Sequence, residues 1–273
     1  MSPGRASWLA MTDGLAPRRA AAHAFTAVIK QKRMLETALD HAPGFAEMSV
    51  RDRAFARAIA AVTFRRLGQT RTVLDKFLSR PLSETSDGAQ AILVTGAAQM
   101  LWLDSPAHAV VSSAVSLAAE RQDSHRLKGL INAVLRKVDR EGREVLKGTV
   151  PRDNLPDWLR ESWRAAYGPG GLSGIVNAMM ATPPLDLTLK NPAERDKWAE
   201  ALDARVLANG SLRLNSVGDV RALAGFREGA WWAQDAAASM PAMLLGAQPG
   251  ESVIDMCAAP GGKTLQLAAR GAR

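Results

Sequence analysis

Ser252-Val253-Ile254-Asp255-Met256 runs into Cys257-Ala258-Ala259-Pro260-Gly261-Gly262-Lys263-Thr264, and that into Leu265-Gln266-Leu267-Ala268-Ala269. The first five residues read as a short buried strand, the next eight as a glycine turn, and the last five as the start of a helix. Strand, glycine turn and helix in that order open a doubly wound α/β domain, in which ligands sit beyond the carboxyl end of the strand. Glycines lack the Cβ that would keep a ligand off the backbone. The helix N-terminus adds free N–H groups and a partial positive charge. Two phosphate-binding patterns fail on spacing. A Walker A loop needs G-x-x-x-x-G-K-[ST]; Gly262-Lys263-Thr264 match its end, but Cys257 stands where its first glycine belongs. The dinucleotide pattern G-x-G-x-x-G is not matched either. A ligand-free structural turn remains the plain alternative.

Upstream of this loop the chain reads as a small α/β module. After Pro183-Pro184, Leu185, Leu187 and Leu189 alternate with polar neighbours, as in a half-buried strand. A helix is expected over Ala193–Leu202, with shorter strands around Ser211–Leu214 and Ala230–Ala233. Asp235 is placed to cap a further helix that contains Pro241.

The first half reads differently. Val50–Leu67 predicts a helix with Phe55, Ala58, Ile59 and Val62 on one face, and Gly68 is placed to cap its C-terminus. Helices follow over Arg71–Leu78, Ala89–Trp102, from Ser105-Pro106 onward, and over Arg126–Arg140. Together they predict an all-helical bundle. Pro156–Tyr167 predicts a further helix, with Trp158, Leu159 and Trp163 inward, broken by Gly168-Pro169-Gly170-Gly171. The expected fold class is α plus α/β. Its domains are a tail over residues 1–16, the helical bundle over 17–147, a small α/β linker domain over 148–229, and the first part of a Rossmann-like domain over 230–273.

Composition sets limits on function. The 273 residues are 47% hydrophobic and 23% charged, ordinary for a globular protein with a sizeable core. A single cysteine, Cys257, excludes an internal disulfide framework and suits a reducing compartment. His23, His41, His108 and His125 have no metal-ligand spacing, so no metal is expected. No run reaches the length of a membrane helix, and Met1–Pro17 lacks the apolar core of a signal peptide. A cytoplasmic monomer without membrane association is the expectation. The net charge of +8 is unevenly placed: residues 17–147 hold 21 Lys or Arg against 13 Asp or Glu, and the remainder holds 14 of each. A basic module beside a neutral one suggests a polyanionic partner, the alternative being a solvated basic surface.

The loop 255–264 resembles the first motif of the RNA 5-methylcytosine methyltransferases. Trp231-Trp232-Ala233-Gln234-Asp235-Ala236-Ala237-Ala238-Ser239, with Pro249-Gly250-Glu251, is similar to that family's lead-in. In the first half, Arg51-Asp52-Arg53-Ala54-Phe55-Ala56, Arg65-Arg66-Leu67-Gly68, Pro106-Ala107-His108-Ala109 and Asn132-Ala133-Val134-Leu135-Arg136 resemble a NusB-like RNA-binding domain. That fusion is the arrangement of bacterial methyltransferases acting on cytosine in small-subunit ribosomal RNA.

The resemblance implies S-adenosyl-L-methionine as cofactor and ribosomal RNA, not DNA, as partner. It implies a cysteine thiolate that adds to carbon 6 of cytosine, so that carbon 5 can attack the methyl sulfonium. The family's two working cysteines come from later motifs. Hence no catalytic residue is expected among residues 1–273, and this chain alone is expected to be inactive. Cys257 is expected to be a small buried residue of the cofactor loop. Cys257, Ala258, Ala259, Pro260, Gly261, Gly262 and Lys263 are the expected cofactor-binding residues, with Lys263 reaching the cofactor carboxylate or staying solvated. Asp255 orients cofactor groups or caps the loop. Arg51, Arg53, Arg57, Arg65, Arg66, Lys128, Arg136 and Lys137 are expected to meet RNA phosphates. His108 is expected to cap or pack, and Trp231-Trp232 to form a packed strand or stack on a base. Lys190-Asn191 falls where the family shows Arg-x-Asn. The competing expectation is a non-enzymatic NusB-like RNA-binding or transcription-regulating protein with a vestigial cofactor loop.

Overall fold

A computed structural model describes residues 14–215 and 220–273. The chain divides into two compact units, one ending at Ala181 and the other running from Thr182 to Arg273. The expected tail, residues 1–16, lies outside the described residues except for its last three.

The first unit is helical. Its elements are α1 (Leu15–Gln31), α2 (Leu35–Asp40), α3 (Val50–Arg65), α4 (Leu67–Phe77), α5 (Asp87–Trp102), α6 (Ala107–Glu120), α7 (Lys128–Lys147) and α8 (Asp157–Met180). Helix α5 is its centre: every residue from Gly88 to Leu101 is buried. A helix buried on every face must be covered on all sides, and its polar Gln90, Thr95 and Gln99 are hydrogen-bonded inside. Helices α1, α3, α4, α6 and α7 cover it. Helix α7 shows the opposite pattern, with Ile131, Val134, Leu135 and Val138 inward and its basic residues outward. Ser49 and Ser86 cap α3 and α5 by accepting from the N–H groups of Asp52 and Ala89.

Three sequence expectations need correction here. Gly68 does not end α3; it lies in the first turn of α4, and Arg66 is the joint between the two helices. A Cβ at Gly68 would collide with the Asp153 carbonyl, so close approach of backbone explains this glycine. Gly168-Pro169-Gly170-Gly171 interrupts α8 at Gly168 only, with φ 67° and ψ 176°. Pro169 is preset for a helical first turn, so the helix resumes and carries both following glycines. Trp158 points outward at 70% exposure, whereas Leu159 and Trp163 pack on Leu155, Leu172 and Val176.

The second unit holds a four-stranded sheet: β1 (Leu185–Leu189), β2 (Arg205–Val206), β3 (Leu212–Leu214) and β4 (Trp231–Ala233), in the order β2-β3-β1-β4. All its pairings are antiparallel, with Leu187 opposite Leu212 on one side and Ala233 on the other. The alternation read in the sequence places Leu187, Leu189, Leu212, Leu214 and Trp231 in one core, against Trp198 of α9 (Arg195–Ala201). Strands β1, β3 and β4, α9 and the cap of α10 (Ala236–Leu245) by Asp235 form where the sequence puts them, and the two-residue β2 is an addition the sequence did not predict. Helix α11 (Gly262–Ala269) follows the glycine turn.

The strand expected over Ser252–Met256 does not form. Its backbone makes one ladder-like contact, with Val253 N–H donating to the Arg273 carbonyl, and Ile254 and Met256 are 89% and 92% exposed. A strand exists through its hydrogen-bonded neighbours. Among the described residues only Arg273 lies alongside them, its N–H donating to the Glu251 carbonyl while its own carbonyl accepts from Val253, and this single bridge is too short to make a strand.

Candidate functional site

The glycine turn is built from both ends. Asp255 closes it: one carboxylate oxygen accepts from the Cys257 N–H at 3.0 Å, the other from the Thr264 hydroxyl at 2.7 Å. The Thr264 hydrogen bond, then that of Cys257, and then the charge of Lys263 hold the Asp255 carboxyl below its ordinary range. Between these ends run the cis Ala259–Pro260 bond and Gly261, whose φ of 112° only glycine adopts easily. A Cβ built on Gly261 would meet nothing within 4 Å, so the space beside that residue is open. Leu265 N–H bonds back to the Gly261 carbonyl at 2.8 Å. The N–H groups of Gly262, Lys263 and Thr264 thus begin α11 without intrahelical acceptors.

The base of the turn rests on buried amides. Gln234, just past β4, donates from Nε2 to Gln266 Oε1 at 2.7 Å and accepts at Oε1 from Trp232 Nε1 at 2.8 Å. Gln266 donates to the Ser239 carbonyl at 3.2 Å. Behind them lies Asp186, buried on β1. Its two oxygens take Arg213 Nε and Nη2, each at 2.6 Å, and Oδ2 also takes the Ala236 N–H at 3.0 Å. These bonds hold its carboxyl well below the usual range.

In the helical unit the basic residues divide by what already holds them. Arg53 donates to the carbonyls of Ala46 and Met48. Arg57 pairs with Glu36 and lies over the Phe45 ring. Arg66 lies 4.4 Å over the Trp102 ring and donates to Gln69 and to the Met180 carbonyl; burial lowers its pKa. Arg136 donates to Asn132. Arg65, Lys128 and Lys137 have no hydrogen-bond or ion-pair partner among the described residues. The turn from α6 to α7 adds a cleft of about 590 Å³ lined by Glu120, Arg121, His125 and Arg126 among others. There Arg121 is paired with Asp123 and Glu120 with Arg19, while Arg126 is unpaired among the described residues.

Residues 15–140 match the NusB family. The chain is 34% identical to ribosomal RNA small subunit methyltransferase B of Pseudomonas syringae pv. tomato over 263 residues, which are 92% of this chain and 58% of that protein. The protein of that name from Xanthomonas campestris pv. campestris is 34% identical over 94% of this chain and 59% of its own length. That from Escherichia coli is 31% identical over 92% and 60%. The chain is similar to these proteins over nearly its whole length, and to the NusB family over its helical part. It spans about three fifths of the length of the proteins it matches. The crystal structure of PH0851 has a similar fold, with a TM-score of 0.64 at 18% identity over 96% of this chain and 61% of that one.

The seven expected loop residues, Cys257 to Lys263, run as one continuous stretch whose last two open α11. The eight expected phosphate contacts do not form one cluster: five lie on or beside α3, and three lie along α7. Arg51, at the exposed start of α3, has a partner of its own. Cys257 is exposed, against the expectation of burial, because its N–H is drawn to Asp255 while the turn faces outward. His108 is also exposed rather than packed. Asn191 caps the short turn Pro192–Glu194 by accepting from the Ala193 N–H at 3.1 Å. Trp231 is buried in the sheet. Sequence reasoning missed Asp186, Arg213, Gln234 and Gln266. Asp186 and Arg213 sit opposite each other in register, which shows only once β1 and β3 are paired.

Proposed function

We propose that this chain is the RNA-binding and cofactor-loop portion of an enzyme that methylates carbon 5 of a cytosine in small-subunit ribosomal RNA, with S-adenosyl-L-methionine as methyl donor. The observation that carries the reading is the identity, across nearly the whole chain, to proteins named ribosomal RNA small subunit methyltransferase B. The turn supports it. The open space beside Gly261, its glycines and the free N–H groups of Gly262, Lys263 and Thr264 suit an anionic carboxylate, and Lys263 adds a positive charge. The cofactor, when bound, supplies an electrophilic methyl group. The residues Cys257 to Lys263 bind and orient its methionine end, and Asp255 fixes the turn instead of touching the ligand. Cys257 is not the nucleophile in this reading; it belongs to the cofactor turn, and the cytosine-attacking cysteine lies elsewhere in the enzyme.

The helical unit holds the RNA. Arg65, Lys128 and Lys137 make phosphate contacts, with Arg126 at the cleft just before Lys128; such contacts position RNA without reading its bases. Arg53, Arg57 and Arg66 serve the fold first, and Arg51 and Arg136 combine an internal contact with an exposed position.

The direct test is to map 5-methylcytosine in small-subunit ribosomal RNA from cells with and without the gene. Loss of methylation at one cytosine, restored by the wild-type gene, is the expected result. An unchanged methylation map would overturn the reading.

A further inference from the structure

The buried amide pair beneath the glycine turn does more than fill space. Gln234 joins the sheet to the turn by four bonds: its N–H donates to the Asp186 carbonyl at 2.9 Å, its Oε1 accepts from Trp232, and its Nε2 donates to Gln266 and, at 3.4 Å, to the Ala238 carbonyl. Gly262 lies directly on that amide, and a Cβ there would stand 3.2 Å from Gln234 Cδ. Gly262 is the first residue of α11, and its N–H is one of those lining the turn. Gln266, one helical turn later, is held by the same side chain. Two points on one short helix are thus set from one residue of the sheet.

We propose that Gln234 is a positioning residue for the cofactor turn, setting where the N–H groups of Gly262, Lys263 and Thr264 point. This rests on the cofactor reading of the turn. Hydrophobic packing alone would let α11 slide or rotate, since only Gln266 and Leu267 of that helix are buried. The amide pair is directional, and its burial limits competition from water.

The test compares Gln234→Met with the double variant Gln234→Met/Gln266→Met. The single variant leaves the Gln266 carbonyl oxygen buried without its donor, which destabilises; removing both amides relieves that. Two readouts are needed: amide hydrogen exchange over residues 261–266, and NMR shifts of the Gly261, Gly262 and Lys263 amides on titration with S-adenosylmethionine. We expect faster exchange and about tenfold weaker titration in the single variant. In the double variant the melting temperature returns towards wild type while the titration stays weak. Recovery of titration together with melting temperature, or wild-type exchange in Gln234→Met, would overturn the positioning role. A wild-type chain whose loop amides do not respond to S-adenosylmethionine would instead sink the cofactor reading, and the exchange data alone would then decide whether Gln234 sets the turn.

Discussion

The Thr264 hydroxyl donates to the Asp255 carboxylate at 2.7 Å across the whole glycine turn. One side chain before the turn and one inside α11 therefore fix its width. Asp255→Asn keeps the size but loses the charge that Thr264 and the Cys257 N–H favour. The expected outcome is a Cys257 amide resonance shifted towards its disordered position, with little change in melting temperature. The same argument gives a pH dependence. The Asp255 pKa is depressed in the folded chain, so the clasp is intact above the ordinary carboxylate value and is lost as pH falls through the depressed one. An NMR titration of the Cys257 and Thr264 amides that broke at or above the ordinary value of about 3.9 would contradict it.

Asp186 is the stability-determining carboxylate of the second unit. Its side chain is 2% exposed and Arg213 keeps 28%. Removing the carboxylate charge strands a partly buried guanidinium and weakens the anchor of the Ala236 N–H. Asp186→Asn should cost about 3 kcal/mol, the low end for a broken buried pair. Urea unfolding monitored at Trp231 checks this, and a loss below about 1 kcal/mol would place the pair among surface bridges.

How far these features were readable differs by element. The Leu185, Leu187, Leu189 alternation was enough to place β1, because one face of that strand meets a core and periodicity reports burial. The same alternation assigns Asp186 to solvent, and only the partner strand reveals Arg213 opposite it. Ser252–Met256 has the composition of a buried strand, but composition cannot supply the neighbour a strand requires. Gly68 sits where a helix-ending glycine would, and it was the backbone of Asp153, far along the chain, that required it. In the turn itself, Cys257 to Lys263 were legible as a motif. The amides beneath them were not, since a lone glutamine gives no sign of which buried partner it meets.

Gly68 offers a direct check on that last distinction. Gly68→Ala would improve an exposed helix by helix propensity. Here the added methyl meets the Asp153 carbonyl, so a loss of about 1–3 kcal/mol is expected instead. Thermal unfolding of the variant decides the sign.

The basic residues separate into two experimental classes. Lys137→Ala and Arg65→Ala should weaken binding to a small-subunit ribosomal RNA fragment, each lowering the slope of log affinity against log salt by about 1. Neither should move the melting temperature. Arg66→Ala removes a cation packed on Trp102 and should lower the melting temperature. Unaltered salt slopes for Arg65 and Lys137 together would remove the helical unit's phosphate-contact assignment.

His23 ties the helical unit's stability to pH. It lies on α1 with Nδ1 buried and, among the described residues, without a hydrogen-bond partner. Burial first, then the charges of Arg121 and Arg33, lower its pKa below the ordinary value. The unfolded chain carries a histidine of about 6.5 and so binds the proton more readily than the folded one. Stability therefore rises with pH across the interval between the two values. The full contribution is present above about pH 6.5, falls as the pH drops below it, and levels off beneath the folded value. Comparing wild type with His23→Leu by urea unfolding between about pH 7.5 and 5.5 isolates this effect, because contributions from carboxylates are common to both chains. The variant should show the shallower dependence. Parallel profiles would mean that the folded chain protonates His23 as easily as the unfolded one, and that the Arg121 side of α1 carries less positive potential than the geometry implies.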